Sequence, residues 1–330
     1  MPSMNEVEWS WTIPEVENHI RNLPLWQGEL KLERRWGGLQ NRNWVAEDEQ
    51  AKYMVRQAAD LRDIWGTVSA IRTGMLAGAD MGVSPKVVYD ERLLQVSEFI
   101  EGRNFEAEDM HKPENVTEVI RLIKILQAKA PEYCHYPIDY FWPFDATRQA
   151  GWIANHLGCK HMAKANEMIE IVNTFESLFG PYKPVLCHGD LAHVNIMQER
   201  ESGKIWLIDY DLCGWGLPEW DIAEMCAYSA APPEIDELCV REFFGAMSDT
   251  EFEERMHKQR ALRMTSSVRV ALLAWVLACG SGLLSAEELK KSMNALFGGM
   301  GDEDAGIDGM ADYCADEFWR MYKIYGENYK

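Results

Sequence analysis

Alternation of apolar and polar positions marks four short segments in the first hundred residues: 30–36 (LKLERRW), 51–57 (AKYMVRQ), 85–90 (PKVVYD) and 93–100 (LLQVSEFI). Such runs predict successive strands of an antiparallel sheet. Between the second and third, Ile64, Val68, Ile71, Met75 and Ala79 recur at helical spacing and predict one helix over 60–81. After Glu101-Gly102-Arg103 the period changes. Val116, Val119, Ile120, Ile123 and Leu126 fall at three- and four-residue intervals, so an amphipathic helix begins a mainly helical remainder. The exception is a central block, 184–191 (PVLCHGDL) and 204–211 (KIWLIDYD), where apolar runs end in polar residues. That is the pattern of strands delivering side chains to a site. The pattern therefore divides the chain into a sheet-rich unit over 1–102 and a helical unit over 103–330, with a hinge near Gly102.

Composition narrows the function. The 330 residues carry 33 Lys and Arg against 53 Asp and Glu, a formal charge of −20. A surface this acidic opposes the counterion replacement that nucleic-acid binding requires, so no nucleic-acid partner is expected. Its field weakly favours cationic ligands. Eight cysteines are scattered without a Cys-x-x-Cys pair, and the N-terminus lacks a basic segment followed by an apolar stretch. Both features fit a cytoplasmic protein. The most apolar run, 270–279, has ten residues where a membrane span needs about 20, so a buried helix and no membrane anchor are expected.

The central block carries the chemistry. It reads His188-Gly189-Asp190-Leu191-Ala192-His193-Val194-Asn195, and Asp209-Tyr210-Asp211 begins fourteen residues after Asn195. A carboxylate, an amide five residues on, and a second carboxylate after an apolar strand suit metal-assisted phosphoryl transfer. Asp190 would orient a hydroxyl and accept its proton, while Asn195 and Asp209 offer hard oxygen ligands for Mg²⁺.

HGDLAHVNI followed by IDYD resembles the catalytic and metal loops of the aminoglycoside phosphotransferase and choline/ethanolamine kinase superfamily. Gly189 stands where protein kinases carry Arg, and Asp209-Tyr210-Asp211 replaces Asp-Phe-Gly. The resemblance implies an α+β, bilobal protein-kinase-like fold, with ATP and Mg²⁺ between an N-terminal antiparallel sheet lobe and a larger, mainly helical lobe. It extends to Gly37-Gly38-Leu39-Gln40-Asn41-Arg42-Asn43-Trp44, similar to the nucleotide loop of choline kinase-like proteins, which makes Gly38, Asn41 and Asn43 nucleotide-binding candidates. Arg56 would hold the α- and β-phosphates in place of the usual Lys, and backbone groups at Phe99 and Ile100 would meet adenine. Kinases pair the basic residue with a helix Glu, yet no acid occurs between Asp63 and Asp80. Asp60 or Asp63 could substitute, or the permanently charged Arg56 could need less positioning than Lys.

Pro218-Glu219 arrives nine residues after Asp209, too soon for a peptide-binding activation segment, so a small-molecule acceptor is favoured. The following Trp220-Asp221-Ile222-Ala223 resembles the family's P-x-W-D-(I/L)-A element, which implies that Asp221, together with His188, supports the catalytic loop. Asp211 occupies the position of a second acid in choline kinase-like proteins and is a further metal-ligand candidate. The helical unit is rich in aromatics, including Tyr140, Trp142, Trp152, Trp215, Trp220, Trp275, Trp319 and Tyr322. Aromatic faces attract ammonium groups by cation–π interaction, which points to choline or ethanolamine and to Trp142, Trp215, Trp220 and Trp275 as acceptor-binding candidates. An aminoglycoside or other small metabolite such as a sugar or homoserine is the alternative acceptor. A nucleotide-binding pseudokinase is the alternative of another class, motivated by the missing helix acid. The chain contains no Walker A sequence, G-x-G-x-x-G or H-E-x-x-H.

Overall fold

A computed structural model describes residues 10–58, 68–279, 284–297 and 306–329. The first described element is helix α1 (Ile13–Arg21), set by a capping box in which the Thr12 N–H and hydroxyl both donate to Glu15 at 2.7 Å. Its Val16 and Ile20, one turn apart, are fully buried. They cover a five-stranded antiparallel sheet of β1 (Lys31–Arg35), β2 (Arg42–Glu47), β3 (Lys52–Gln57), β4 (Val87–Asp90) and β5 (Leu94–Glu98), in the order β1-β2-β3-β5-β4. Trp44, Ala46, Val55, Leu94 and Val96 supply the buried face. Helix α2 (Val68–Asp80) crosses between β3 and β4. The helix expected over 60–81 is described from Val68 on; Ile64, Asp60 and Asp63 lie outside the described residues.

Two elements of this lobe go beyond the pattern. Helix α1 is short and declares itself only through its cap. Strand β2 hides inside the segment read as a nucleotide loop, because Arg42 and Asn43 are polar and the alternation emerges only at Trp44 and Ala46.

The sheet ends at Glu98, and β6 (Gly102–Asn104) already pairs with the second lobe, in a three-stranded sheet with β8 (Ile196–Glu199) and β9 (Ile205–Leu207). The crossing between lobes therefore runs through 99–101. Helix α3 (Pro113–Tyr133) buries Val116, Val119, Ile120, Ile123 and Leu126, the stripe seen in the sequence. Helices α4 (Pro143–His156) and α5 (Met162–Phe175) follow. Then β7 (Val185–Cys187) pairs antiparallel with β10 (Gly214–Gly216). Helices α6 (Trp220–Tyr228), α7 (Pro233–Phe244), α8 (Asp249–Ala278), α9 (Ala286–Phe297) and α10 (Gly306–Tyr325) complete the lobe.

Helix α8 is the axis of this lobe. By length and composition it could cross a membrane, but 94% of its apolar window is buried inside the protein. It is a 30-residue core helix rather than the ten-residue run seen in the sequence. The extension is masked in the sequence by buried polar residues that find partners within the fold. Arg263, 1% exposed, reaches Asp236 of α7 at 2.7 Å and Glu317 of α10 at 2.9 Å. Pairing both acids with one guanidinium is what makes a charge acceptable at that depth.

Candidate active site

The loop 188–195 leaves β7 and leads into β8, and 208–213 leaves β9 and leads into β10, so two neighbouring strand pairs present both loops to the boundary between the lobes. Gly189 makes the first turn possible. Its φ is +77°, and a Cβ there would lie 2.0 Å from the Leu212 carbonyl oxygen. The Arg of protein kinases has no room at this position.

His188 is fully buried, and its Nε2–H donates to the Ile208 carbonyl at 3.0 Å, which leaves Nδ1 to accept the Asp190 N–H at 3.4 Å. Burial pulls its pKa down to about 4, so the ring is neutral and ties the two loops together. Asp221, at the first turn of α6 and also fully buried, accepts the His188 N–H at 2.9 Å and the Gly189 N–H at 3.1 Å. Burial raises its pKa to about 6 against the pull of those two donors.

Asp190 is partly buried at the head of the loop. Its Oδ2 accepts from Asn195 Nδ2 at 2.9 Å, and its Oδ1 accepts from the Tyr228 hydroxyl at 2.5 Å. Burial pushes its pKa to about 6, with the Asp209 charge adding to the rise and Tyr228, Arg269 and Asn195 opposing it. A carboxylate poised there can accept a proton near neutral pH. Asp209 has a left-handed backbone, φ +68°, unusual for a residue with a side chain.

Arg56 of β3 crosses from the first lobe: its Nη2 donates to Asp209 Oδ1 at 3.0 Å and to Asp211 Oδ1. Asn41 donates to the other Asp211 oxygen at 2.6 Å. The sequence points to Asp211 as a metal ligand; in the structure it is buried, and each of its oxygens accepts one hydrogen bond from the first lobe. With Asp209 it supplies the acidic partners of Arg56 for which the sequence offered no helix acid.

Gly38 sits at the turn between β1 and β2, where a Cβ would lie 2.8 Å from Asn43 Nδ2 and 3.0 Å from the Asn41 carbonyl oxygen. Leu39, in the same loop, packs onto the core of the second lobe. At the crossing, the Phe99 N–H is committed to the Lys52 carbonyl at 3.2 Å, so it is not available to a nucleotide base. Ile100 follows directly and is partly exposed.

The four tryptophans separate. Trp142 stacks on Tyr182 at 5.4 Å and donates to Glu176 at 2.5 Å, and the Tyr182 hydroxyl accepts from Tyr140 at 2.8 Å. Trp215 lies on β10 opposite Leu186, two residues before His188, and is bridged to Tyr140. Both rings keep partial exposure. Trp220 and Trp275, assigned to the acceptor pocket from the sequence, are sealed in the core at 0% and 2% exposure and present no face to a ligand.

Three functional residues escape sequence reading. Tyr228 contacts Asp190 directly. Glu224, fully buried, accepts the Leu191 N–H at 2.9 Å and pairs with Arg269 of α8 at 2.9 Å, while Arg269 also donates to the Gly189 carbonyl at 3.0 Å. Burial pushes the Glu224 carboxyl up against the Arg269 charge. Asp221, Glu224 and Tyr228 stand at i, i+3 and i+7 of one helix, so a polar stripe on an otherwise apolar helix was the signal. Arg269 carried none, being 80 residues from Gly189.

Two lobes joined by a short crossing, with paired acidic loops between them, define a kinase-type phosphotransferase. The chain belongs to the phosphotransferase enzyme family, whose model matches residues 31–255. Among solved structures it is similar to a choline kinase from Cryptosporidium parvum, at 13% identity over 95% of this chain and 96% of that one, TM-score 0.68. It is also similar to a choline/ethanolamine kinase family protein from Mesorhizobium loti, at 18% identity over 94% and 97%, TM-score 0.65. A macrolide 2′-phosphotransferase from Brachybacterium faecium matches at 18% identity over 85% and 96%, TM-score 0.52. No curated protein matches the chain.

Proposed function

We propose that this protein is an ATP- and Mg²⁺-dependent kinase that phosphorylates a hydroxyl of a small amino alcohol, choline or ethanolamine. The observation that carries the reading is Asp190, held by Asn195 and Tyr228 beside Asp209 with its pKa raised toward neutrality. A base so placed takes the acceptor proton as the oxygen attacks the γ-phosphorus in line.

Asn195 and Asp209 fit a hard cation. Among the described residues no group of three or more His, Cys, Asp or Glu could hold a metal alone, and a site of few protein ligands is what Mg²⁺ takes when phosphates and water complete its shell. When bound, the ion would neutralise charge building on the phosphate oxygens. Arg56 would contribute positive charge from the first lobe, positioned by Asp211, and the Ile100 backbone would meet the base. Trp142 and Trp215, with Tyr140 and Tyr182 beside them, support a cationic acceptor.

The test is Mg²⁺-dependent ADP release across choline, ethanolamine, their methylated intermediates, aminoglycosides, macrolides and homoserine, with Asp209→Ala as the blank. Turnover confined to the amino alcohols is expected. Turnover with another acceptor would discard the amino-alcohol assignment, and ATP binding without turnover on any acceptor would refute the catalytic one.

A further inference from the structure

Among the described residues the cysteines are thiols without a disulfide, yet two pairs lie close. Cys226 and Cys239 approach to 3.5 Å between α6 and α7, where they are 1% and 0% exposed and no reagent reaches them. Cys159 and Cys279 approach to 2.6 Å, and here one sulfur is accessible: Cys159 is buried, whereas Cys279 is exposed. The distance is about 0.5 Å above the S–S bond length of about 2.05 Å.

This proximity is built by the backbone. Cys159 follows the turn at Gly158, whose φ is +66°, after α4, and its own N–H donates to the Ala154 carbonyl at 3.0 Å. Cys279 caps α8, its N–H donating to the Trp275 carbonyl at 3.2 Å. The Cys159 thiol donates to that same carbonyl at 3.5 Å. One backbone oxygen thus gathers both residues from 120 positions apart. A metal site does not account for the pair, because no third ligand of the His, Cys, Asp or Glu type joins it among the described residues.

We propose that Cys159 and Cys279 form a reversible dithiol–disulfide site that is oxidised by small-molecule disulfides, with Cys279 as the entering thiol and Cys159 as the resolving one. The Cys279 thiolate attacks one sulfur of the small disulfide; that S–S bond breaks and one small thiol leaves, protonated. Cys159 then loses its proton and attacks Cys279 Sγ, breaking the mixed disulfide and releasing the second small thiol. Two protein thiols are oxidised by two electrons, the small disulfide is reduced, and excess thiol reverses both steps. The bond would close a loop that contains both active-site loops, from 188 to 213, and long closed loops gain most from a cross-link in the chain-entropy model.

The test uses the full-length folded chain equilibrated with glutathione disulfide, quenched with acid, alkylated and mapped by mass spectrometry. The expected result is a fall from eight titratable thiols to six, a Cys159–Cys279 cross-linked peptide, and full reversal by excess reduced glutathione. Cys159→Ser should trap a glutathione adduct on Cys279, and Cys279→Ser should give neither adduct nor cross-link at this site. Circular dichroism of both variants verifies that they fold. Eight thiols persisting in the wild type, a cross-link at Cys226–Cys239 instead, or the absence of a trapped adduct in folded Cys159→Ser would overturn the proposal.

Discussion

Arg269→Met tests the ionic floor beneath the catalytic loop. Arg269 is 3% exposed, bonded to the Gly189 carbonyl and to Glu224, and its guanidinium lies 5.0 Å from the Phe141 ring centroid. Methionine keeps the aliphatic reach and the packing but removes the charge. Glu224 then keeps the Leu191 N–H as its donor in a fully buried setting. Breaking one side of a buried ion pair costs about 3–5 kcal/mol, a large share of the roughly 5–15 kcal/mol that holds a typical domain folded. Glu224 can escape the cost only by taking a proton. Burial raises its folded pKa above the unfolded value, so the folded state binds more protons and stability falls as pH rises between the two values. Arg269 holds the folded value down at about 8, so its loss raises it further, and the deficit of Arg269→Met against wild type is expected to be small near about pH 6 and to grow as pH rises above about 8, toward about pH 10. Urea denaturation at both pH values, read from the midpoint at constant slope, measures it. Adding Glu224→Gln removes the stranded charge while keeping an acceptor for Leu191, and should recover at least half of the loss. A deficit under about 1 kcal/mol at the higher pH, or one that does not change with pH, would refute the claim that charge pairing supports this loop.

Two further outcomes follow from the same geometry. Gly189→Ala puts a Cβ against the Leu212 carbonyl in a left-handed conformation, so it should destabilise by about 2 kcal/mol or more in thermal or urea unfolding; a loss within experimental error would mean the loop can rearrange freely. Tyr228→Phe removes a donor that holds the Asp190 pKa down, so the ascending limb of kcat/KM, expected near about pH 6 in the wild type, should move to higher pH, and an unmoved limb would exclude Asp190 as the titrating base.

Much of the molecule was legible without coordinates, because local elements follow from local periodicity. The stripe of α3 and the alternation of β3 and β5 are each contained within a few turns or pleats of chain. The motif positions Asp190, Asn195 and Asp209 were legible for a related reason: one short loop and one strand end bring them together, so their spacing is their geometry. Strand β2 and helix α1 were obscured because a loop motif and a short capped segment lack a long apolar period.

What tertiary structure alone decided is every feature that joins distant positions. Arg56 meets Asp209 across 153 residues and Asn41 meets Asp211 across 170, so the acidic partners of Arg56 could not be read from α2. Trp142 and Trp215 stay partly exposed while Trp220 and Trp275 are sealed, although the four are chemically alike. Arg269 reads as an interruption of an apolar helix until the fold sets it beneath Gly189. Sequence by itself determined most of the elements and the motif positions of the candidate site, because those depend on hydrogen bonding, hydrophobic period and spacing along the chain. Burial, pairing and proton affinity depend on which distant atoms exclude water from a group, and only the packed fold supplies those neighbours.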